Sequence, residues 1–256
     1  MLMSERLEGR VAIVTGAGRG IGRATAALLA REGADVACVA RTGSELAEAA
    51  AGVRAAGRMA VGIQADIGDP GAAALIAARA QAELGDVGIL VNNAATVTPV
   101  GPTAAVDPEQ WARALAVNVV GPMRLTRVLL DGMLKRGWGR IVNISSGIAA
   151  APAGMVGMNA YAASKAALEA HTLNLAAELA GTGVTVNVLR PGTVDTAMPA
   201  WIRAQPAAQI GAALHDRFMV MHESGVMAPP ARPAGMIVNL LAGEATGHVA
   251  NAGNRA

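Results

Sequence analysis

The chain has 256 residues, 53% of them hydrophobic, 16% charged and 2% aromatic, with a formal net charge of +2. This balance excludes a disordered chain and suits one large α/β domain spanning 1–256. Scattered basic residues with so few aromatics exclude nucleic acid as a main partner, and no apolar run reaches the roughly 18 residues of a membrane span, so a soluble cytoplasmic protein with no membrane partner is expected.

Val11 to Thr15 is a short apolar run that ends in glycines and reads as a strand; Ile21 to Arg31 has helical periodicity and is closed by Gly33. Val36 to Ala40 reads as the second strand, and the single cysteine within it, Cys38, is expected to be a buried thiol. Leu46 to Ala56 reads as helix, Ala60 to Ala65 as strand, Ala72 to Leu84 as helix and Ile89 to Asn92 as strand. Trp111 to Lys135 is a long helical region, bent near Gly121-Pro122. Arg140 to Ser145, Tyr161 to Leu179 and Thr185 to Leu189 follow as strand, helix and strand. Helix Pro233 to Leu241 and a short segment near His248 to Ala250 close the chain.

The candidate strands are apolar on both faces and alternate with helices. This predicts an α/β fold, a Rossmann-type doubly wound parallel seven-stranded sheet with helices on both faces. Ligands of such a sheet lie beyond the carboxyl ends of its strands. The segment at about 195–232 breaks the rhythm and is expected to form a small helical substrate lid.

Gly16, Gly18, Gly20 and Gly22, with Arg19 and Ile21 between them, lie at the first strand-to-helix crossover. There, small residues admit a pyrophosphate and free helix N–H groups meet its charge. No Lys-Ser or Lys-Thr follows, so a triphosphate loop does not fit. An NAD-type site places an acidic residue after the second strand, whereas this chain has Ala40-Arg41-Thr42 and no carboxylate before Glu45. Arg41, with Arg19 approaching from the glycine turn, suits a 2′-phosphate, so NADP(H) is favoured and NAD(H) is the alternative. Asp66, after the third strand, suits either the adenine amino group or a turn cap.

The only tyrosine, Tyr161, precedes Lys165 by four residues, which stacks the two on one helix face. The ammonium should favour the phenolate and draw the phenol down from its usual value of about 10. Tyr161 is then a candidate general acid toward a carbonyl oxygen. Ser146, after the preceding strand, could hold that oxygen, with Ser145 as the other candidate. The histidines lack the spacing of a metal set, and no metal site is expected.

On these residues the chain resembles the short-chain dehydrogenase/reductase family, in particular its 3-oxoacyl carrier-protein reductase-like members, over essentially its whole length. The family's glycine motif stands as Thr15 to Gly22, its Asn-Asn-Ala-Gly motif as Asn92-Asn93-Ala94-Ala95, and its helix asparagine as Asn118. Its serine stands as Ser146, its Tyr-x-x-x-Lys pair as Tyr161 and Lys165, and its Pro-Gly as Pro191-Gly192, followed by Val194 and the carboxamide-contacting Thr196.

The resemblance implies a catalytic tetrad of Asn118, Ser146, Tyr161 and Lys165, with Asn118 holding a helix distortion and a water on the proton path from Lys165. It implies further cofactor contacts from Ile67, Asn93 and Ala94, hydride delivery from the B face, and a homotetramer or dimer. Two departures stand out: Ala95 replaces a glycine, and the loop from Gly147 to Ala160 is longer than usual, which should alter the substrate pocket more than the chemistry. Met155, Val156, Met158, Val97, Trp201, Met219 and Met221 are candidates for an apolar pocket. The expected function is NADP-dependent hydride transfer between nicotinamide and a carbonyl or secondary alcohol, with an apolar ketone or 3-oxoacyl substrate. The alternatives are a non-catalytic NAD(P)-sensing regulator and an NAD-dependent alcohol dehydrogenase of the same family.

Overall fold

A computed structural model describes residues 6–253. Seven strands form one wholly parallel sheet: β1 (Val11–Thr15), β2 (Asp35–Ala40), β3 (Ala60–Gln64), β4 (Val87–Asn92), β5 (Gly139–Ile144), β6 (Val184–Arg190) and β7 (Val249–Asn251), in the order β3-β2-β1-β4-β5-β6-β7. The strands are apolar on both faces because both faces are covered: every residue of β1, β4 and β5 is buried.

Helices α1 (Gly20–Arg31) and α2 (Gly43–Ala55) follow β1 and β2; α3 (Ala72–Leu84) follows β3 and stops at Gly85, whose φ of 97° ends the helical path. After β4 come α4 (Pro108–Leu115), a π-helical turn (Ala116–Val120) and α5 (Gly121–Lys135). Asp107 caps α4 by accepting from the Glu109 N–H at 3.0 Å, with Pro108 at its first position. Helix α6 (Asn159–Glu178) joins β5 to β6. Three short helices, α7 (Ala197–Arg203), α8 (Ala207–Ile210) and α9 (Ala212–Glu223), precede α10 (Ala231–Ala242).

The elements expected from periodicity are present, with ends moved by at most three residues. The long helix expected over Trp111 to Lys135 is instead two helices joined by the π turn just before Gly121-Pro122. Pro122 offers no N–H, and Gly121 packs so tightly that a Cβ would lie 2.5 Å from the Ile67 carbonyl oxygen. The widened turn therefore sits where the helix meets the loop after β3.

One side of the sheet packs on α3, α5 and the end of α6, through Ile76, Leu129, Met133 and Leu175. The other packs on α1, α2 and α10, through Leu29, Val53, Ile237 and Leu241. Cys38 lies in this second core, and burial pushes its thiol up to about 12. β1 and β4 are neighbours although β2 and β3 run away on one side and β5 to β7 on the other, so the chain's direction across the sheet reverses between them. That point opens a crevice at the carboxyl ends, and the glycine turn and the segment after β4 border it.

Candidate active site

The crevice floor is held by Thr15, the last residue of β1. Its Oγ1 accepts from the N–H groups of Asn93 and Ala94, each at 3.0 Å, and donates to the Val91 carbonyl. The Asn93 side chain returns the contact, donating to the carbonyls of Thr15 at 2.9 Å and Gly16 at 3.2 Å. Gly16 has φ +64°, and a Cβ there would lie 2.8 Å from Asn93 Nδ2 and 2.9 Å from Ala94 Cα. The turn is thus glycine because it is pressed against the next crossover, and Asn93 works by bracing it.

Arg19 occupies the cap position of α1 without a side-chain cap bond, which leaves the first-turn N–H groups of Gly20, Ile21 and Gly22 free of side-chain partners. Four such groups open every helix start, and here they follow a close-packed glycine turn, the donor set that suits a pyrophosphate. Gly18 lies over Ala40 and Glu45, and its carbonyl accepts from the Arg23 guanidinium.

Both arginines of the adenosine end have acidic partners. Arg19 reaches Glu45 at 3.4 Å and Arg41 reaches Asp66 at 3.8 Å, both guanidinium groups being largely exposed. Asp66 also accepts from the Gly68 N–H at 3.0 Å and pairs with Arg113 of α4 at 2.8 Å. It therefore serves as a turn cap and an ion-pair partner at once. Ile67 turns its side chain into the core. Glu45 and Arg113 were not singled out in the sequence because both lie outside the local motifs.

Pro191-Gly192 follows the end of β6, where Gly192 has φ +73° and abuts Gly253. Val194 is buried and bridges to Ala228. Thr196 caps α7 in position, and its methyl faces Gly20, 3.1 Å from where a Cβ would stand. The segments bearing Pro191 to Thr196 and Gly16 to Gly22 thus form the two rims of the crevice.

Asn118 lies in the π turn and is fully buried. Its amide donates to the Thr96 carbonyl at 2.8 Å and to Ser164 Oγ at 2.9 Å, and its carbonyl accepts from the Thr96 N–H at 2.8 Å. It links the loop after β4 to α6, one residue before Lys165.

Ser145 and Ser146 follow β5 and have different partners. Ser145 Oγ donates to Glu169 Oε1 at 2.6 Å and is buried. Ser146 lies near Tyr161, close enough for its hydroxyl to favour the phenolate. Ser146 also accepts from the Ile148 N–H, which fixes the start of the long loop.

Tyr161 and Lys165 share one face of α6, as their spacing requires. The expected fall in the phenol's pKa does not occur within the chain: burial pushes it up to about 12. The reason is geometric. Lys165 Nζ stands 5.6 Å from the ring centroid and donates to the Ile144 carbonyl at 2.6 Å. Burial also draws Lys165 down to about 8, opposed by the nearby Glu169 carboxylate. Glu169, one helical turn beyond, pairs with Arg190 through two bonds of 2.8 and 2.6 Å. The arginine and serine bonds and the two nearby cations hold Glu169 below the usual carboxylate value despite its burial. Glu169 continues the i, i+4 series begun by Tyr161 and Lys165, a periodic signal that could have exposed it.

Around Tyr161 the walls are apolar: Val97, Ile148, Met158, Ile202, Leu214 and Phe218 are buried together, with Ala95, Met155 and Met198 against them. The methyl of Ala95 thus joins this wall. Of the expected pocket side chains, Val97, Met155 and Met158 are in it. Val156 is 77% exposed and Trp201 39% exposed. On α9 the i, i+4 pair Leu214 and Phe218 fills the position that Met219 and Met221 were expected to take. Among the described residues no helix is long and apolar enough to cross a membrane, and no group of three or more His, Cys, Asp or Glu could hold a metal ion.

A family model described as short chain dehydrogenase matches residues 10–207. A 3-oxoacyl-(acyl-carrier-protein) reductase of Pseudomonas aeruginosa is 38% identical over 203 residues, which are 79% of this chain and 80% of that protein. A blue fluorescent protein from a metagenomic library, in complex with NADPH, superposes with a TM-score of 0.83 at 33% identity, covering 97% of this chain and 98% of that one. NAD+-bound xylitol dehydrogenase superposes with a TM-score of 0.85 at 27% identity, covering 96% and 98%.

Proposed function

The chain belongs to the short chain dehydrogenase family, and from that premise we propose that it is an NADP(H)-dependent oxidoreductase acting on a carbonyl or secondary alcohol. The observation that carries this reading is the grouping of Ser146, Tyr161 and Lys165 beyond the end of β5, with Lys165 Nζ 5.6 Å from the Tyr161 ring and bonded to the Ile144 carbonyl. Binding a dinucleotide needs no tyrosine, so this arrangement favours turnover over a non-catalytic sensing role.

A bound nicotinamide would supply the hydride in reduction and accept it in oxidation. Gly16 to Gly22 would hold the pyrophosphate, Arg19, Arg41, Asp66 and Ile67 the adenosine end, and Asn93, Ala94, Pro191, Gly192, Val194 and Thr196 the nicotinamide side. Tyr161 and Lys165 would reach the nicotinamide ribose. The chemistry of the residues fits: free helix N–H groups for the diphosphate and two exposed guanidinium groups for a 2′-phosphate. Glu45, which already engages Arg19, supports a second reading in which NAD(H) is also accepted.

Tyr161 acts as general acid, giving its proton to the substrate oxygen in reduction and taking it back in oxidation. A phenol pushed up to about 12 is fully protonated at neutral pH, as a donor must be. Ser146 donates to the same oxygen and stabilises its developing charge. Lys165 supplies the positive charge that steadies the phenolate once the proton has left, and Asn118 fixes the helix turn and loop that flank it.

The apolar wall around Tyr161 favours a hydrophobic ketone or a 3-oxoacyl group over a polyol. Helices α7 to α9 act as the substrate lid of a single domain. Exposed Met123 and Val128 on α5 and Leu173 on α6 favour self-association as a homotetramer. The enzyme acts in the cytoplasm. The test is a panel of ketones and alcohols followed at the nicotinamide absorbance, with both cofactors in parallel. Turnover of apolar ketones with NADPH supports the proposal, and no turnover of any carbonyl compound refutes it.

A further inference from the structure

Glu169 is buried, ionic and unused by the chemistry described above. Its partners lie on three separate elements. Oε1 accepts from Ser145 Oγ at 2.6 Å and from Arg190 Nε at 2.8 Å, and Oε2 accepts from Arg190 Nη2 at 2.6 Å. Ser145 immediately precedes Ser146, Arg190 immediately precedes Pro191-Gly192, and Glu169 itself is one turn from Lys165. A carboxylate in such a place is costly to bury unless every lone pair is used, and this one is held by a two-pronged arginine and a hydroxyl.

We propose that Glu169 is a positioning residue of the reaction: it fixes the ends of β5 and β6 against α6, and supplies the negative charge that keeps Lys165 ionised. This rests on the reading of Tyr161 and Lys165 as the reacting pair. The geometry gives the first half, since one carboxylate ties the serine end, the nicotinamide loop and the lysine helix together. The second half follows from where the charges sit. Glu169 on the same helix is the negative charge acting on Lys165, and Arg190 of β6 stands with Glu169. Tyr161 is the other titratable group on the helix face. The end of β5 brings only Ser145 and Ser146, and the π turn only Asn118, all uncharged. Without Glu169, only the Ile144 carbonyl would oppose burial at the ammonium, and the charge behind the phenol would be lost at lower pH.

The test is the pH profile of turnover for Glu169→Gln, run beside the parent and Tyr161→Phe, with cofactor binding followed by nicotinamide fluorescence. The alkaline limb is expected to move to lower pH by at least about half a unit. Turnover at neutral pH should fall roughly tenfold or more while KM changes less, since the loss is felt at the reacting oxygen. Cofactor affinity should weaken a few-fold, because the Arg190-Pro191 corner is loosened. Glu169→Gln/Arg190→Gln removes both charges, leaves no unpaired ion and should shift the limb the same way even if the single variant fails to fold. Limbs that overlay the parent's in a folded variant overturn the proposal, and so does failure of both variants to fold, which would make Glu169 a structural residue only. If Tyr161→Phe keeps the parent's rate, it is the reading of the reacting pair that fails instead.

Discussion

The side-chain amide of Asn118 meets the peptide of Thr96 twice, donating to its carbonyl and accepting from its N–H, both at 2.8 Å. One side chain thereby copies the pairing of a neighbouring strand and holds the loop beyond β4 to the helix that carries it. Asn118→Ala would leave both Thr96 groups and Ser164 without that partner. The expected loss is roughly 2–4 kcal/mol, read by urea unfolding. A midpoint unchanged from the parent would show that water replaces the contact at little cost.

Tyr161→Phe keeps the ring among Val97, Ile148 and Met158 and removes only the hydroxyl. Turnover should fall roughly 100- to 10,000-fold, the usual worth of a placed proton donor. NADPH affinity should stay within about threefold, because the pyrophosphate and adenosine contacts lie elsewhere. Single-turnover kinetics and fluorescence titration separate the two, and activity within a few-fold of the parent would remove Tyr161 as the acid.

Stability should depend on pH in two opposite windows. Lys165 is held at about 8, below its ordinary 10.5, so between these values the unfolded chain binds more protons and stability rises with pH. Tyr161 is pushed up to about 12 from 10, so between 10 and 12 the folded chain keeps a proton the unfolded chain has lost and stability falls. The lysine effect is on the order of 3 kcal/mol. Urea titrations at pH 7.5 and 10 should show Lys165→Met gaining much less than the parent over this range; equal gains would contradict the burial argument.

The adenosine end predicts a charge exchange. A 2′-phosphate can take Arg19 only by competing with Glu45, and Arg41 only by competing with Asp66. Arg41→Asp should therefore weaken NADPH roughly tenfold or more and NADH far less, while Glu45→Gln should tighten NADPH a few-fold. Dissociation constants for both cofactors decide it, and an unchanged preference in both variants would take these residues out of cofactor selection.

Much of the sheet could be read from the sequence because a parallel sheet buried on both faces leaves uninterrupted runs such as Val36 to Val39, and glycines such as Gly33 and Gly85 end the elements beside them. Tyr161 and Lys165 were legible for the same reason: both lie on one helix at a fixed spacing. Contacts between distant segments were not. Arg113 meets Asp66 across 47 positions and Arg190 meets Glu169 across 21, and no local pattern announces either. The phenol's pKa was misjudged because helical spacing places two side chains on one face without saying where their ends point. Lys165 turns to the Ile144 carbonyl, and burial then decides the direction. On the lid, the neighbouring large apolar side chains Ile202 and Trp201, at 1% and 39% exposure, differ in fate by a rotation of one residue about α7.

The bridge between Val194 and Ala228 is short, but it has a wide effect. The Asp195 N–H donates to the Ala228 carbonyl at 3.0 Å and the Ala228 N–H to the Thr193 carbonyl at 2.9 Å, so the excursion between them begins and ends at one short paired neck. A loop closed in this manner can change length at small entropic expense, because its ends are already together. Exchange of residues 197–227 should therefore redirect which compounds are accepted while leaving Val194 and Thr196, and with them the dinucleotide cradle, as they were, which makes this neck a natural grafting point.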